Sequence, residues 1–367
     1  MKINLMLKNE GIEIVRELTK KEVCAIAKDI SIKLCLAFPE HELNRNDLYN
    51  ALSGIKMYYA DLPNDFSGAK YILDNNSIYF NSKIDFEKIP DTAMHECIHF
   101  IQHYNSEQNF GLTTSSKETA LNEAAVQLMA SEANMSPETE VKYFDINIKT
   151  ISPDFYPLEC SLLNQITYFT GTYPLYNSVL FSNEIFKNTF ITKFSKKVYS
   201  NLVKRLNGLL NMENEINYYM EEMVNESKKK AVEYLNKTIN YKKQKLMTLY
   251  FQTQNYIMRT CFNYEYYTIR TLEDIHEFKN KLYEYKNVIG YNDDYTYYND
   301  FYRLMMNMLV AKKEQIEKNG EVNLLLNKST ALVLIDTRKN KLNFVKTFFR
   351  KIKELLKSEV SKDYINE

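Results

Sequence analysis

Apolar residues recur at helical spacing over residues 10–36: Ile12, Val15, Leu18, Val23, Ile26, Ala27, Ile30 and Leu34. This pattern predicts a first helix, which Pro39 ends. A short second helix is expected over 45–54, closed by Gly54. The period then changes. Ile55–Ala60 reads as a strand, and residues 69–73 and 77–81 read as two strands about the turn Asp74–Asn76. Pro90 suits the first turn of another helix, in which Ala93, Met94, Cys97, Ile98, Phe100 and Ile101 leave almost no polar face. After a polar loop at 104–114, Ser115 with Glu118 three residues on spells a capping box, so a helix is predicted to run to about Asn134. Residues 138–157 carry Pro153 and Pro157 and read as irregular, and a helix follows over 161–169, before Gly171 and Pro174. Beyond about 175 the chain reads as mostly helix. Residues 212–262 hold almost no breaker and predict one or two long helices, with further helices over 272–287 and 298–318. Residues 322–336 are ambiguous between helix and hairpin, and 340–358 read as a basic amphipathic helix that packs on its own core.

The fold class expected is therefore α+β and mostly helical: a small sheet with two following helices, then a large all-helical C-terminal part. The boundary is placed at 150, giving regions 1–150 and 151–367.

Composition narrows the reading further. Lysine plus arginine and aspartate plus glutamate are both 47, so there is no basic excess of the kind nucleic acid attracts, and no nucleic-acid partner is expected. Only 8 glycines and 7 prolines favour helix over sandwich or propeller. The cysteines, at 24, 35, 97, 160 and 261, are odd in number and scattered, which suits a reducing compartment better than a disulfide framework. No stretch approaches the ~20 apolar residues of a membrane span. The first apolar run is broken by Asn4, Lys8 and Glu10, unlike a signal peptide. A cytoplasmic location is the expectation, with a non-classical export route left open.

The chemistry concentrates in Asp91–Tyr104. His95-Glu96-Cys97-Ile98-His99 is an H-E-x-x-H pattern, and three of the 5 histidines, His95, His99 and His103, fall within nine residues. On a helix, positions i and i+4 share a face. Two imidazoles so placed can grip one Zn²⁺, and Glu96 between them can act as general base on a zinc-bound water. In an apolar helix these polar groups are buried, which is costly without a partner, and one zinc ion per chain partners all three. His103 is no third ligand: it lies about 12 Å beyond His95 along the axis, too far for bonds of ~2 Å to one ion. The next helix offers Glu118, Glu123 and Glu132. Helical angles alone leave the choice open: Glu132 points with the larger apolar residues, and Glu123 lies on a row with Ala120 and Gln127.

Leu121-Asn122-Glu123-Ala124-Ala125-Val126-Gln127 resembles the N-E-A segment of thermolysin-type gluzincins, and the pairing of H-E-x-x-H with an Ala-rich, Glu-bearing helix is also similar to small zincins of the ImmA/IrrE type. The likeness covers roughly residues 55–135. It implies a zincin metallopeptidase in which Glu123 is the third zinc ligand and Gln127 supports a ligand histidine. Glutamine departs from the acid usual there, and would raise ligand basicity less. The same likeness implies that an edge strand binds extended peptide substrate, for which Ile78, Tyr79, Phe80 and Asn81 are the candidates. It also implies that a downstream Tyr or His stabilises the oxyanion, for which Tyr156 and His276 are the candidates.

The function expected is hydrolysis of peptide bonds by zinc-activated water with Glu96 as base, on a peptide or protein substrate. Two alternatives remain at this level: a non-catalytic interaction protein on a zincin scaffold, and an ImmA/IrrE-like regulatory protease with a single protein substrate.

Overall fold

The computed structural model describes residues 7–63, 68–106, 110–112, 118–290 and 296–319. Four strands make the main sheet: β1 (Glu13–Glu17), β2 (Lys56–Asp61), β3 (Ala69–Ile72) and β4 (Ser77–Asn81), in the order β1-β2-β4-β3. β4 enters between its predecessors, parallel to β2 and antiparallel to β3. Its five residues are all buried, as expected of an interior strand. This corrects the edge assignment of Ile78, Tyr79, Phe80 and Asn81. The strand pair was foreseen, but the edge is β3.

The predicted helix over 10–36 also divides. Glu13–Glu17 pairs antiparallel with β2 and is exposed throughout. The helix, α1 (Lys20–Ala37), starts only at the capping box of Thr19 and Glu22. Ile14 and Val15 are 42% and 57% exposed, so their spacing marks no core face. The ladder to β2 decides the local conformation instead. α2 (Arg45–Ser53) follows, capped by the Asn44 side chain.

One helix lies against this sheet, on β3 and β4, and a second packs on that helix. α3 (Ile89–Asn105) opens with Pro90 in its first turn, and α4 (Thr119–Ala133) is buried almost all round. Ser115–Lys117 of the predicted capping box lie outside the described residues. Glu118 is not inside the helix but at its N-cap position, and makes no side-chain cap bond there. Residues 138–157, read as irregular, hold a hairpin of β5 (Thr139–Tyr143) and β6 (Ile146–Thr150). Its two turn residues, Phe144 and Asp145, both have positive φ, at 45° and 69°. That is the backbone of a type I′ turn, usually signalled by Asn-Gly. Here neither residue announces it.

Everything after the hairpin in the described residues is helical: α5 (Pro157–Thr170), α6 (Tyr173–Phe181), α7 (Ile185–Phe194), α8 (Lys196–Asn225), α9 (Lys229–Thr268), α10 (Leu272–Val288) and α11 (Thr296–Asn319). The long stretch of 212–262 is thus two helices, parted at 226–228. The expectations for 322–336 and 340–358 fall outside the described residues. None of the described helices is long and apolar enough to cross a membrane. No disulfide joins the five cysteines, all of which lie in the described residues.

Contacts divide the chain elsewhere than at residue 150. Among the described residues, one unit comprises those within 7–258 and 282–300, and the other those within 259–281 and 301–319. The sheet, α3, α4 and the helices to residue 258 therefore belong to one body. The second unit has an aromatic interior of its own, with Phe262, Phe278 and Phe301 buried against one another.

Candidate metal centre

His95 and His99 stand one helical turn apart on α3, and α4 brings Glu123 across to them. His95 Nε2 and His99 Nε2 are 3.0 Å apart, and each is 3.2 Å from Glu123 Oε2. These are the separations three ligand atoms would have around one small cation. Tetrahedral bonds of ~2.0–2.1 Å place neighbouring donors about 3.3 Å apart.

The far sides of the rings fix which nitrogen carries the proton. His95 Nδ1 lies 2.8 Å from Gln127 Oε1, and His99 Nδ1 lies 3.0 Å from Gln102 Oε1. An amide oxygen only accepts, so both Nδ1 atoms donate. Both Nε2 lone pairs then face the Glu123 carboxylate oxygen. Three electron-rich atoms at this spacing repel unless a cation sits among them, so the donor set fits a divalent metal. Protons are the competing cations. Burial works against a charged His99, but the Glu123 carboxylate, Glu96 and the Gln102 bond raise it to about 9. Burial likewise works against ionised Glu123, yet the two imidazoles beside it hold its carboxyl well below the usual range.

Neighbouring residues keep the rings in place. Gln127 Nε2 donates to Ser131 Oγ at 3.2 Å. Gln102, fully buried, donates to Asn122 Oδ1 at 3.0 Å, and the same oxygen accepts from Leu112 N. Gly111 passes so close that a Cβ there would clash with Gln102 Nε2 and Asn122 Oδ1, and its φ of +57° is one that glycine tolerates best. Phe110 stacks on His99 with ring centroids 5.6 Å apart.

Glu96 does not join the triangle. Its Oε2 accepts the backbone N–H of Tyr71, on edge strand β3, at 2.7 Å. The Tyr71 hydroxyl lies 2.9 Å from His103 Nδ1, which gives that histidine a place near the site without a ligand's position. Glu118 and Glu132, the other candidates for the third acid, are engaged elsewhere: Tyr199 and Tyr176 donate to them at 3.4 and 2.6 Å.

No family model, curated protein or solved structure matches this chain. The geometry therefore carries the reading alone.

Of the two oxyanion candidates, Tyr156 lies at the site. Its ring stacks on His95 with centroids 6.0 Å apart, and its backbone is left-handed at φ 49°, a strained choice for tyrosine. Burial, with Glu123 and Glu96 beside it, pushes its phenol well up, so it stays protonated. His276 is an exposed residue of α10 in the second unit.

Those cavities are of about 550 and 540 Å³, and both are bordered by Ala69, His95, Glu96 and Tyr156. The first has an apolar wall of Leu62, Pro63, Leu73 and Phe110, and contains β3 residues Ala69, Lys70 and Tyr71. Gln102, Tyr71 and Phe110 escaped the sequence reading. Gln102 alone left a trace, standing three residues after His99 on the same helix.

Proposed function

We propose that this protein is a zinc-dependent metallopeptidase. The observation that carries the reading is the triangle of His95 Nε2, His99 Nε2 and Glu123 Oε2, closed to within 3.2 Å beside an open cavity. Zinc held by these three residues would polarise a peptide carbonyl and make water acidic enough to attack it. The chain supplies the remaining parts. Glu96, steadied by the Tyr71 N–H, takes the proton of the attacking water and hands it to the leaving amine. Tyr156, held protonated, donates to the oxyanion. The substrate lies extended along β3, the edge strand that lines the cavity, instead of along β4.

Elemental mass spectrometry on protein offered zinc tests this first. About one zinc per chain is expected in the wild type, with strong loss in His95→Ala and Glu123→Ala. Glu118→Ala and Glu132→Ala should retain it. A wild type that takes up no zinc would sink the proposal. Cleavage of a mixed peptide library by the loaded protein, abolished by Glu96→Gln, is the second requirement.

A further inference from the structure

A pair of acids in the first unit plays no part in the metal chemistry. Glu159 sits in the first turn of α5 and Glu213 in α8, at 0% and 4% exposure. A buried carboxyl is costly unless cations or donors meet it. Here the donors are too few. Tyr143 Oη donates to Glu213 Oε2 at 3.3 Å, while Glu213 Oε1 and both oxygens of Glu159 meet no donor beyond each other's carboxyl and the Glu159 backbone. No lysine or arginine among the described residues acts on either carboxyl. The two groups instead face each other, and burial pushes both upward, Glu159 to about 7.

This pair adjoins the cleft. Glu213 lines the second cavity with Tyr143, Asp154, Asn214 and Asn217, and the same cavity reaches His95, Glu96 and Tyr156. Leu210, Glu213, Asn214 and Asn217 follow helical spacing, so one face of α8 forms that wall. Four acids border the cavity: Asp91, Glu96, Asp154 and Glu213. No lysine or arginine borders it, although Asp91 is paired with Lys33 from outside. The first cavity, across the metal triangle, has the apolar wall described above. The two halves of the cleft thus differ in chemistry.

We propose that the second cavity is a specificity subsite for a basic side chain of the peptide substrate, lysine or arginine, with Glu213 as its anionic partner and Glu159 behind it. The proposal rests on the peptidase reading for the nature of the substrate. An arginine suits the shortage best. Its planar guanidinium brings five N–H donors to a wall where Glu213 and the exposed Asn214 and Asn217 supply acceptor oxygens. The charge also favours ionisation of a carboxyl that burial, with no cation beside it, otherwise holds protonated. A neutral side chain of the same length does neither.

The full-length protein, wild type and Glu213→Gln, is titrated with Nα-acetyl-arginine amide and with its citrulline counterpart, which keeps the shape and loses the charge. Calorimetry or NMR follows binding. The wild type is expected to favour the arginine compound by roughly tenfold or more, the scale of one charge-assisted hydrogen bond, and Glu213→Gln to erase the difference. Asn217→Arg, an exposed change one turn along α8, places a resident cation by Glu213 and should erase it too. Equal binding by wild type, or a preference that survives in both variants, overturns the proposal. In library cleavage, basic residues should be enriched at one position beside the cut, and cleavage without that enrichment also overturns it. No cleavage at all counts against the peptidase reading only, since the titration still judges the subsite. A second metal ion per chain that Glu213→Gln removes would give the pair another cation, and would overturn the subsite as well.

Discussion

Replacing Gln102 by alanine tests how far the proposed metal centre depends on residues outside its ligand set. Gln102 is 0% exposed, and its side chain joins three parts of the site. Its oxygen accepts from His99 Nδ1 at 3.0 Å, its amide donates to Asn122 Oδ1 at 3.0 Å, and Asn122 Nδ2 donates back at 3.4 Å. Asn122 Oδ1 keeps its bond from Leu112 N in the variant. His99 Nδ1 and Asn122 Nδ2 are left without acceptors, and both residues are buried. An orphaned buried donor costs about 1–3 kcal/mol, so the sum is about 2–6 kcal/mol, toward the lower end where water fills the gap. Zinc affinity should fall about 10–100-fold, because the His99 ring loses the bond that fixes its tautomer and tilt. Chelator competition measures the second quantity, and urea unfolding of the metal-free protein measures the first. The Gln127→Ala variant is the control, since its cost falls mainly on His95. A Gln102→Ala protein that loses less than ~1 kcal/mol and binds zinc as the wild type does would refute the reasoning.

Glu96→Gln should keep its zinc and lose turnover by about 10²–10⁴-fold, the usual worth of a general base; steady-state rates on a cleaved library peptide measure it. Gly111→Ala forces a Cβ into Gln102 and a left-handed φ on alanine, so a loss of about 1–3 kcal/mol is expected from chemical denaturation, together with weaker zinc binding. Burial raises the Glu159 carboxyl to about 7. Stability tied to its protonated form is full below the ordinary carboxyl value and is lost as pH rises through about 7. Glu159→Gln should therefore gain on the wild type between pH 5 and pH 8.5, by on the order of 1–3 kcal/mol, and parallel unfolding curves at the two pH values would show the gap failing to open if the carboxyl is ordinary.

Much of the metal centre was readable as spacing. The i, i+4 histidines follow from helical geometry, whereas helical angles left Glu118, Glu123 and Glu132 open and only the resemblance pointed to Glu123 and Gln127; the structure brings the four together. What spacing could not carry was tertiary. The alternation in Ile146-Asn147-Ile148-Lys149-Thr150 is a strand signal, with the first, third and fifth residues buried. Yet Phe144 and Asp145 gave no hint of the turn that makes it a hairpin. In β1 the ladder to β2 overrides a weak helical period. Which strand lies at the edge is a property of sheet order, and no residue of β4 records that β3 passes outside it. Gln102 is a polar residue on an apolar helix, and its value appears only when Asn122 of α4 arrives beside it.

The strand order also bears on how the cleft comes into being during folding. β3 and β4 are joined by the short turn Leu73–Asn76, with Asn76 left-handed at φ 51°, so their pairing closes a small loop. The parallel pairing of β4 with β2 closes a loop about four times longer and brings no turn of its own. Loop-closure entropy favours the hairpin as the earlier event. The wall along which a substrate would lie is thus made together with the strand at the heart of the sheet, and both dock onto β2 as one piece. Slowing that hairpin, for instance by a β-branched residue at Asn76, would delay the cleft and the core alike.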